Sequence, residues 1–178
     1  MELTDVLKAR KSVRSYVDKE VEEAKLMKML EAARMAPSWA NKQCWSYIVV
    51  KDKSKIKELA GGFINPWLKQ APVVVVACGN PRDSGSHDGK DYYLVDVAIS
   101  MEHLVLAATD LGLGTCWIGS FDEAKVKQLL GVPEDVKVIA LTPVGYAGNE
   151  GLRGKLTKGL VGSGKRKPLE EIVHYDKW

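Results

Sequence analysis

The apolar positions between residues 92 and 111 predict the longest helix of the chain. Apolar side chains recur there at the i, i+3, i+4, i+7 spacing of one helical face, as Leu94, Val97, Ala98, Met101, Leu104, Val105, Ala108 and Leu111. A second apolar face is added by Val95, Ile99 and Leu106. A helix that is apolar over most of its circumference is buried in a domain or an interface. We expect this one to be about 20 residues and roughly 30 Å long, enough to cross the core.

One stripe of the same helix is polar, and its members are Asp96, Ser100, His103 and Asp110. Because buried polar groups need hydrogen-bond partners, we interpret the stripe as a row of internal hydrogen bonds. A catalytic Asp–His pair is the alternative, and it is disfavoured because no nucleophile lies at a matching helical offset. Gly112 is expected to end the helix, and residues 115–118 are expected to form a short buried strand.

The remaining periodicities predict the element order α-α-β-α-β-α-β-α-β, followed by an arm. Further helices are expected at residues 3–9, 22–36, 52–61 and 120–130, and further strands at 45–51, 72–79 and 136–146. The strand at 72–79 is apolar on both faces and is therefore expected at the centre of the sheet. Residues 120–123 are expected to form a capping box. Residues 80–90 are expected to be a mobile polar loop rather than a metal site.

Composition narrows the class of protein. The chain has 178 residues, of which 46% are hydrophobic and 28% charged, as is typical of one soluble globular domain spanning residues 1–178. Its net charge of +3 is too small to indicate a nucleic-acid-binding protein. The cysteines form no C-x-x-C pair, the N-terminus does not resemble a signal peptide, and no strand-like apolar run would span a bilayer. We therefore expect a cytoplasmic protein that binds neither nucleic acid nor membrane.

Two polar segments carry the candidate chemistry, and the first runs from Arg10 to Arg14. It combines three cations with the hydroxyl of Ser12 in five residues. Guanidinium groups bind phosphate oxygens bidentately, and a hydroxyl and loop N–H groups fill the remaining lone pairs. A solvated charge run at the C-terminal end of a helix, where cations are favoured, explains the same residues equally well.

The second segment runs from Pro37 to Gln43. Asn41 and Gln43 are two residues apart, so in an extended loop their side chains point the same way. Two amides on one side can recognise a polyol or the edge of a heterocycle, whereas the alternative is an ordinary loop that satisfies its own backbone. Farther along the chain, Gly119 has no Cβ, which allows a flat ligand to approach its backbone closely.

In this order the two segments resemble the flavin-dependent nitroreductases, whose pattern is roughly R-R-S-x-R followed by P-S-x-x-N-x-Q-P-W. The resemblance continues through residues 114–122 and 166–169 and so covers nearly the whole chain. The chain departs from the pattern at Lys11, where Arg is usual, and at Cys44, which replaces a proline. It is also short for the family and lacks the insertion that forms a substrate lid in some members.

The resemblance implies an α+β, nitroreductase-like fold, with a small, mostly antiparallel β-sheet flanked by helices. It also implies an intertwined homodimer in which a C-terminal arm, about residues 148–178, adds an edge strand to the partner's sheet. Residues 148–167 are rich in Gly, Lys and Arg and bury too little apolar surface to fold alone, which is typical of such an arm. Two FMN molecules would lie at the dimer interface.

Individual roles follow from the resemblance as well. The residues that would hold the FMN phosphate are Arg10, Lys11, Ser12, Lys165 and Arg166. Arg14 would lie at the N1/O2 edge of the ring, where a cation stabilises the charge of the reduced flavin. Asn65 and Lys69 fall in a region that supplies ring contacts in larger relatives, and both are candidates.

The remaining implied contacts concern the flavin ring and its ribityl chain. Asn41 and Gln43 would contact the ribityl chain or the ring. The residues that would approach the flavin of the other subunit are Pro37, Ser38 and Trp39. Trp117 belongs to the same cofactor-binding set. Ile118 would lie beneath the ring, and the backbone N–H of Gly119 would point at N5.

The activity that the resemblance implies is FMN-dependent oxidation of NADH or NADPH, coupled to reduction of a nitroaromatic, quinone or related small-molecule acceptor. Hydride would pass through flavin N5 in a ping-pong scheme, so no side chain is expected to serve as a catalytic acid or base. Within the superfamily, dehalogenation and flavin fragmentation are alternatives. Outside it, the alternatives are a flavin- or phosphate-ligand-binding protein without turnover and a nucleic-acid binder that uses its basic tail.

Overall fold

The computed structural model describes residues 1–61, 65–149 and 166–178. Its helices are α1 (Leu3–Ala9), α2 (Glu23–Arg34), α3 (Lys53–Leu59), α4 (Tyr92–Asp110) and α5 (Glu123–Leu130). Its strands are β1 (Trp45–Val50), β2 (Val73–Gly79), β3 (Ser86–His87), β4 (Lys90–Asp91), β5 (Gly114–Thr115) and β6 (Lys137–Gly145). The predicted element order is confirmed, with the β3–β4 hairpin added. None of the described helices has the length and apolar character needed to cross a membrane.

Four strands form one antiparallel sheet in the order β1-β2-β6-β5. β2 pairs with β1 on one side, where Trp45 lies opposite Gly79, and with β6 on the other. Every residue of β2 is buried, which confirms the central position predicted from its apolar run. β5 pairs with the end of β6 only through Gly114 and Thr115, so the sheet is short at this edge.

Helix α4 packs one face against the sheet and α2. Its fully buried apolar side chains are Val97, Met101, Leu104 and Ala108. The predicted apolar surface of α4 is not all buried within one subunit, because Leu94 is 45% exposed and Val95 is 46% exposed. Leu94 precedes the buried Asp96 by two residues, which is about 200° around a helix. The first turn of α4 therefore presents apolar surface outward.

The chain after α4 is less regular than predicted. β5 ends at Thr115, and Ile118 rejoins the sheet only through a bridge to Leu141. The predicted strand at 115–118 was too long, and at the point where β5 ends the N–H of Cys116 donates to the side-chain hydroxyl of Thr142 at 3.3 Å. The backbone therefore leaves the sheet for two residues, which turns Trp117 outward.

The start of α5 also differs from the prediction. Asp122 caps this helix, with its carboxylate accepting the N–H of Lys125 at 3.2 Å. Glu123 accepts the N–H of Val138 at 3.1 Å. The capping box expected at residues 120–123 is therefore not formed, because the Glu123 carboxylate attaches α5 to β6 instead of reaching back to the helix start.

Residues 80–90 are built from hydrogen-bonded turns. A short 3-10 turn at Pro81–Asp83 is capped by the Asn80 side chain, which accepts the N–H of Arg82 at 3.1 Å. The β3–β4 hairpin follows, with Ser86 opposite Asp91. Within the described segments, no three His, Cys, Asp or Glu residues come together closely enough to hold a metal ion.

The C-terminal residues lie on the outside of the subunit. Leu169, Ile172 and Val173 are 71%, 56% and 41% exposed, so these side chains do not anchor the arm on their own subunit. Most of the predicted arm, residues 150–165, lies outside the described residues.

Candidate functional site

The segment from Arg10 to Arg14, which we call the arginine turn, is attached to the edge of β5. Ser12 forms a parallel bridge with Thr115, and the N–H of Val13 donates to the Thr115 carbonyl at 2.8 Å. Val13 is buried, whereas Ser12 and Arg14 on either side of it are partly exposed and Lys11 is exposed. The turn therefore uses one apolar side chain as an anchor and leaves its polar side chains accessible.

A glycine permits this close approach. A Cβ added at Gly114 would lie 2.8 Å from Cγ2 and 2.9 Å from Cβ of Val13, distances that real Cβ atoms do not show. Gly114 is the first residue of β5, so its missing side chain lets the arginine turn lie directly against that strand. The candidate phosphate-binding residues of the arginine turn consequently lie against β5, which ends two residues before Trp117.

The segment from Trp117 to Gly119 is held by the sheet and open on its outer side. Ile118 and Leu141 exchange backbone hydrogen bonds of 2.9 and 3.0 Å, and Ile118 is only 5% exposed. A Cβ added at Gly119 would meet no atom within 4 Å. Its N–H donates to no other described residue. The expected arrangement of a buried Ile118 and an approachable Gly119 backbone is therefore present.

The segment from Pro37 to Gln43, which we call the amide loop, is not extended as expected. It contains a 3-10 turn at Trp39–Asn41, and Ala40, Asn41 and Gln43 have positive φ angles of 46°, 56° and 52°. The two predicted amides nevertheless lie together, because Nε2 of Gln43 donates to the carbonyl and to Oδ1 of Asn41 at 3.2 and 3.3 Å. The loop also closes through Ser38, whose hydroxyl accepts the N–H of Gln43 at 2.9 Å.

The amide loop is attached to the N-terminal end of α4. The N–H of Trp39 donates to Oδ1 of Asp96 at 2.9 Å, and the Trp39 and Tyr92 rings lie 4.1 Å apart between centroids. Nζ of Lys42 donates to the Ser84 carbonyl at 3.1 Å. Sequence reasoning did not connect Asp96 with the loop; the available signal was a carboxylate on an otherwise apolar helix.

The polar stripe of α4 is a row of hydrogen bonds, as predicted. The hydroxyl of Ser100 donates to the Ala33 carbonyl at 2.8 Å and lies 2.7 Å from the hydroxyl of Tyr47. Nδ1 of His103 lies 3.3 Å from the Ala32 carbonyl. Burial raises the pKa of Tyr47 to about 12, so this phenol is neutral at physiological pH. The stripe thus joins α4 to α2 and β1.

Of the two candidates in the region after α3, Asn65 is tied to the site. Nδ2 of Asn65 donates to the Ser120 carbonyl at 3.0 Å, directly after Gly119. Asn65 and Ser120 also line a groove of about 630 Å³ between α3 and α5. Lys69 lines a different, smaller cavity beside Tyr16 and Gln70.

The predicted site residues therefore fall into two groups. The arginine turn and the Trp117–Gly119 segment share the β5 edge, whereas the amide loop lies against the first turns of α4. Among the described residues, no hydrogen bond or ion pair joins the amide loop to the arginine turn. Arg166 is exposed near the C-terminus, and Lys165 lies outside the described residues.

Comparisons with known proteins agree with this fold. The family model for the nitroreductase family matches residues 7–65 and 60–146. A protein of Archaeoglobus fulgidus, provisionally named NADH dehydrogenase/NAD(P)H nitroreductase, is 31% identical over 154 residues, which cover 84% of this chain and 87% of the relative.

Two solved structures are similar over most of their length. A nitroreductase family protein from Clostridium novyi NT is 39% identical with a TM-score of 0.81, and the match covers 84% of this chain and 87% of that one. An FMN-dependent nitroreductase from Clostridium difficile R20291 is 29% identical with a TM-score of 0.79, and the match covers 97% and 98% of the two chains. Sequence motifs, fold and family model coincide, and the chain belongs to the nitroreductase family.

Proposed function

We propose that this protein is an FMN-dependent NAD(P)H oxidoreductase that reduces nitroaromatic, quinone or related small acceptors. The observation that carries the proposal is the convergence at the β5 edge of the arginine turn with the open backbone of Gly119. Cations suited to a phosphate and an approachable N–H suited to a planar ring are thereby placed on one edge of the sheet.

The arrangement fits FMN in particular. Arg10, Lys11 and Ser12 would hold the phosphate, together with Arg166 and Lys165 from the arm, and Arg14 would place a cation at the N1/O2 edge of the ring. Bound FMN would supply the redox chemistry, taking hydride from NAD(P)H at N5 and passing electrons to the acceptor in a ping-pong scheme. The chain itself would bind and orient the flavin.

At Gly119 the N–H would donate to N5, and the absence of a Cβ would admit the ring. Buried Ile118 would form the floor below it. In this scheme no side chain of the protein needs to gain or lose a proton, and we assign no catalytic acid or base.

A homodimer is part of the proposal. Among the described residues of one chain no hydrogen bond or ion pair joins the amide loop to the arginine turn, which supports a site to which two subunits contribute, with Pro37, Ser38 and Trp39 facing the partner's flavin. Exposed apolar side chains support an extensive subunit contact. On the described surface of a single chain they include Leu7, Leu94, Val95 and Trp117.

The decisive experiment is an absorbance spectrum of the purified protein after incubation with FMN, recorded before and after anaerobic addition of NADH or NADPH. We expect flavin bands that remain after gel filtration and bleach with the nicotinamide, and that return when a quinone or nitroaromatic is added. Flavin bands that neither nucleotide bleaches would contradict the oxidoreductase and favour a flavin-binding protein without this turnover. A protein that retains no FMN would contradict the cofactor itself.

A further inference from the structure

Asp96 is a buried carboxylate with an unusual set of partners. It is 2% exposed, and no salt bridge of the described residues includes it. A buried charge without a cation must be stabilised by hydrogen bonds. Asp96 receives them from the N–H of Trp39 at 2.9 Å, the hydroxyl of Ser84 at 3.0 Å and the thiol of Cys44 at 3.6 Å.

These partners lie at both ends of the strained part of the amide loop. Trp39 precedes the left-handed residues Ala40, Asn41 and Gln43, and Cys44 follows them. Non-glycine residues with positive φ persist only where the surrounding structure holds them there. Oδ1 of Asp96 accepts a hydrogen bond from Trp39, before this turn, and Oδ2 accepts one from Cys44, after it. A single carboxylate therefore joins both ends of the turn, and we call this arrangement the Asp96 clamp.

The same clamp reaches the segment before α4. Ser84 donates its hydroxyl to Asp96 while its carbonyl accepts from Lys42 of the amide loop. The next residue, Gly85, lies so close to the Trp39 indole that a Cβ there would be 2.3 Å from Nε1. Asp96 therefore sets the position of the amide loop against both α4 and the residues that lead into the β3–β4 hairpin.

We propose that Asp96 is a positioning residue for the flavin site, which holds Asn41 and Gln43 in the geometry that binds FMN. The proposal rests on the proposed function of this site, in which the two loop amides contact the flavin. Asp96 itself touches no reacting atom and acts through the loop. Its two acceptor oxygens are essential to this role, since an amide in their place would present one donor end.

The test compares Asp96→Asn with Ser100→Ala. Ser100 lies one helical turn farther along α4, is equally buried and also bonds to neighbouring elements, but its hydrogen bonds go to Tyr47 and Ala33 and not to the amide loop. For each apoprotein we would measure the melting temperature and the FMN dissociation constant by flavin fluorescence, and then the midpoint potential of the bound flavin.

Asp96→Asn is expected to raise the FMN dissociation constant roughly ten- to hundred-fold, as for loss of a hydrogen bond to a charged group, and to change the flavin potential. Ser100→Ala is expected to lower the melting temperature while both flavin properties stay close to wild type. An unchanged dissociation constant and potential in Asp96→Asn would overturn the proposal. Equal flavin effects in the two variants would overturn it as well, by showing that general destabilisation is the cause.

If Asp96→Asn does not fold, Ser84→Ala removes one donor and keeps the carboxylate. It is expected to raise the FMN dissociation constant several-fold, and wild-type FMN binding in Ser84→Ala would then overturn the clamp. If the wild-type protein itself binds no FMN, the proposed function is overturned. If the wild type binds FMN and Asp96→Asn binds it equally well, only the role of Asp96 is overturned.

Discussion

The arginine turn and the amide loop are both expected to meet the same cofactor, yet different bonds hold them. The arginine turn is held by main-chain atoms, through Val13 and Thr115, with a glycine at 114 allowing the contact. The amide loop is held by side chains, chiefly Asp96 and Ser38. A segment held by main-chain hydrogen bonds stays in place when its exposed side chains are substituted. A segment held by side-chain hydrogen bonds loses them when one donor or acceptor atom is removed. Stability and ligand binding should therefore be separable in the first region and linked in the second.

The largest expected effect comes from breaking the main-chain attachment itself. Gly114→Ala places a methyl group inside the contact distance of buried Val13. We expect overpacking to lower the free energy of unfolding by about 1–3 kcal/mol and to weaken FMN binding, as measured by urea unfolding and fluorescence titration.

The matched control is Gly119→Ala, where the new methyl group meets no atom within 4 Å. Its free energy of unfolding is expected to stay within about 0.5 kcal/mol of wild type, while FMN binding falls because the ring can no longer approach the backbone. Equal destabilisation by the two substitutions would show that crowding at Val13 is not what makes Gly114 necessary.

A smaller loss of stability is expected in the amide loop. Ser38→Ala removes the acceptor for the N–H of Gln43, and we expect a loss of about 1 kcal/mol together with weaker FMN binding. Ser46→Ala, an exposed serine on β1, provides the control. Destabilisation without any change in FMN affinity would contradict the link between stability and binding in this loop.

A still smaller effect on stability is expected from Arg14→Ala in the arginine turn. Because main-chain bonds hold this turn, the free energy of unfolding should change by less than about 0.5 kcal/mol. The midpoint potential of bound FMN should fall, since a cation near the ring stabilises the reduced form. Arg34→Ala removes an exposed arginine that pairs with Glu31 on α2, and it should leave the potential unchanged. A potential unaltered in fully loaded Arg14→Ala would remove Arg14 from the ring edge.

The smallest effect is a fall in the free energy of unfolding that appears only at alkaline pH. Burial, with Asp96 nearby, raises the pKa of the Cys44 thiol from 9.0 to about 11, and burial raises that of Cys78 to about 11. The folded state thus holds these protons more tightly than the unfolded state. This contribution to stability is complete below pH 9 and is lost as the pH rises toward 11.

Unfolding free energies measured across that interval test this expectation. Cys44→Ala should reduce the decline between pH 9 and pH 11, and Asp96→Asn should reduce the Cys44 part while leaving the part that is due to Cys78. A decline that is identical in wild type and Cys44→Ala would show that Cys44 does not contribute.

Much of the fold was predictable because its signals are local. The apolar run of β2, the periodicity of α4 and the glycine at 112 that follows it each lie within or next to the element they specify. The arginine turn and Gly119 were likewise found from adjacent residues. Errors arose where distant partners bind the backbone or the side chains: Thr142 accepts the N–H of Cys116 where β5 ends, and the N–H of Val138 occupies the Glu123 carboxylate that was expected in the capping box.

The sequence by itself determined the order of the elements, the central strand and the family, and it supplied the candidate polar residues of the proposed site. Only the tertiary structure decided that the amide loop is a left-handed turn and that Asp96 holds it. The bond from Trp39 to Asp96 joins residues 57 positions apart, and periodicity carries information only across neighbouring turns or strand positions. A carboxylate on an apolar helix indicates that a partner exists, but the packing of the chain determines which segment supplies it.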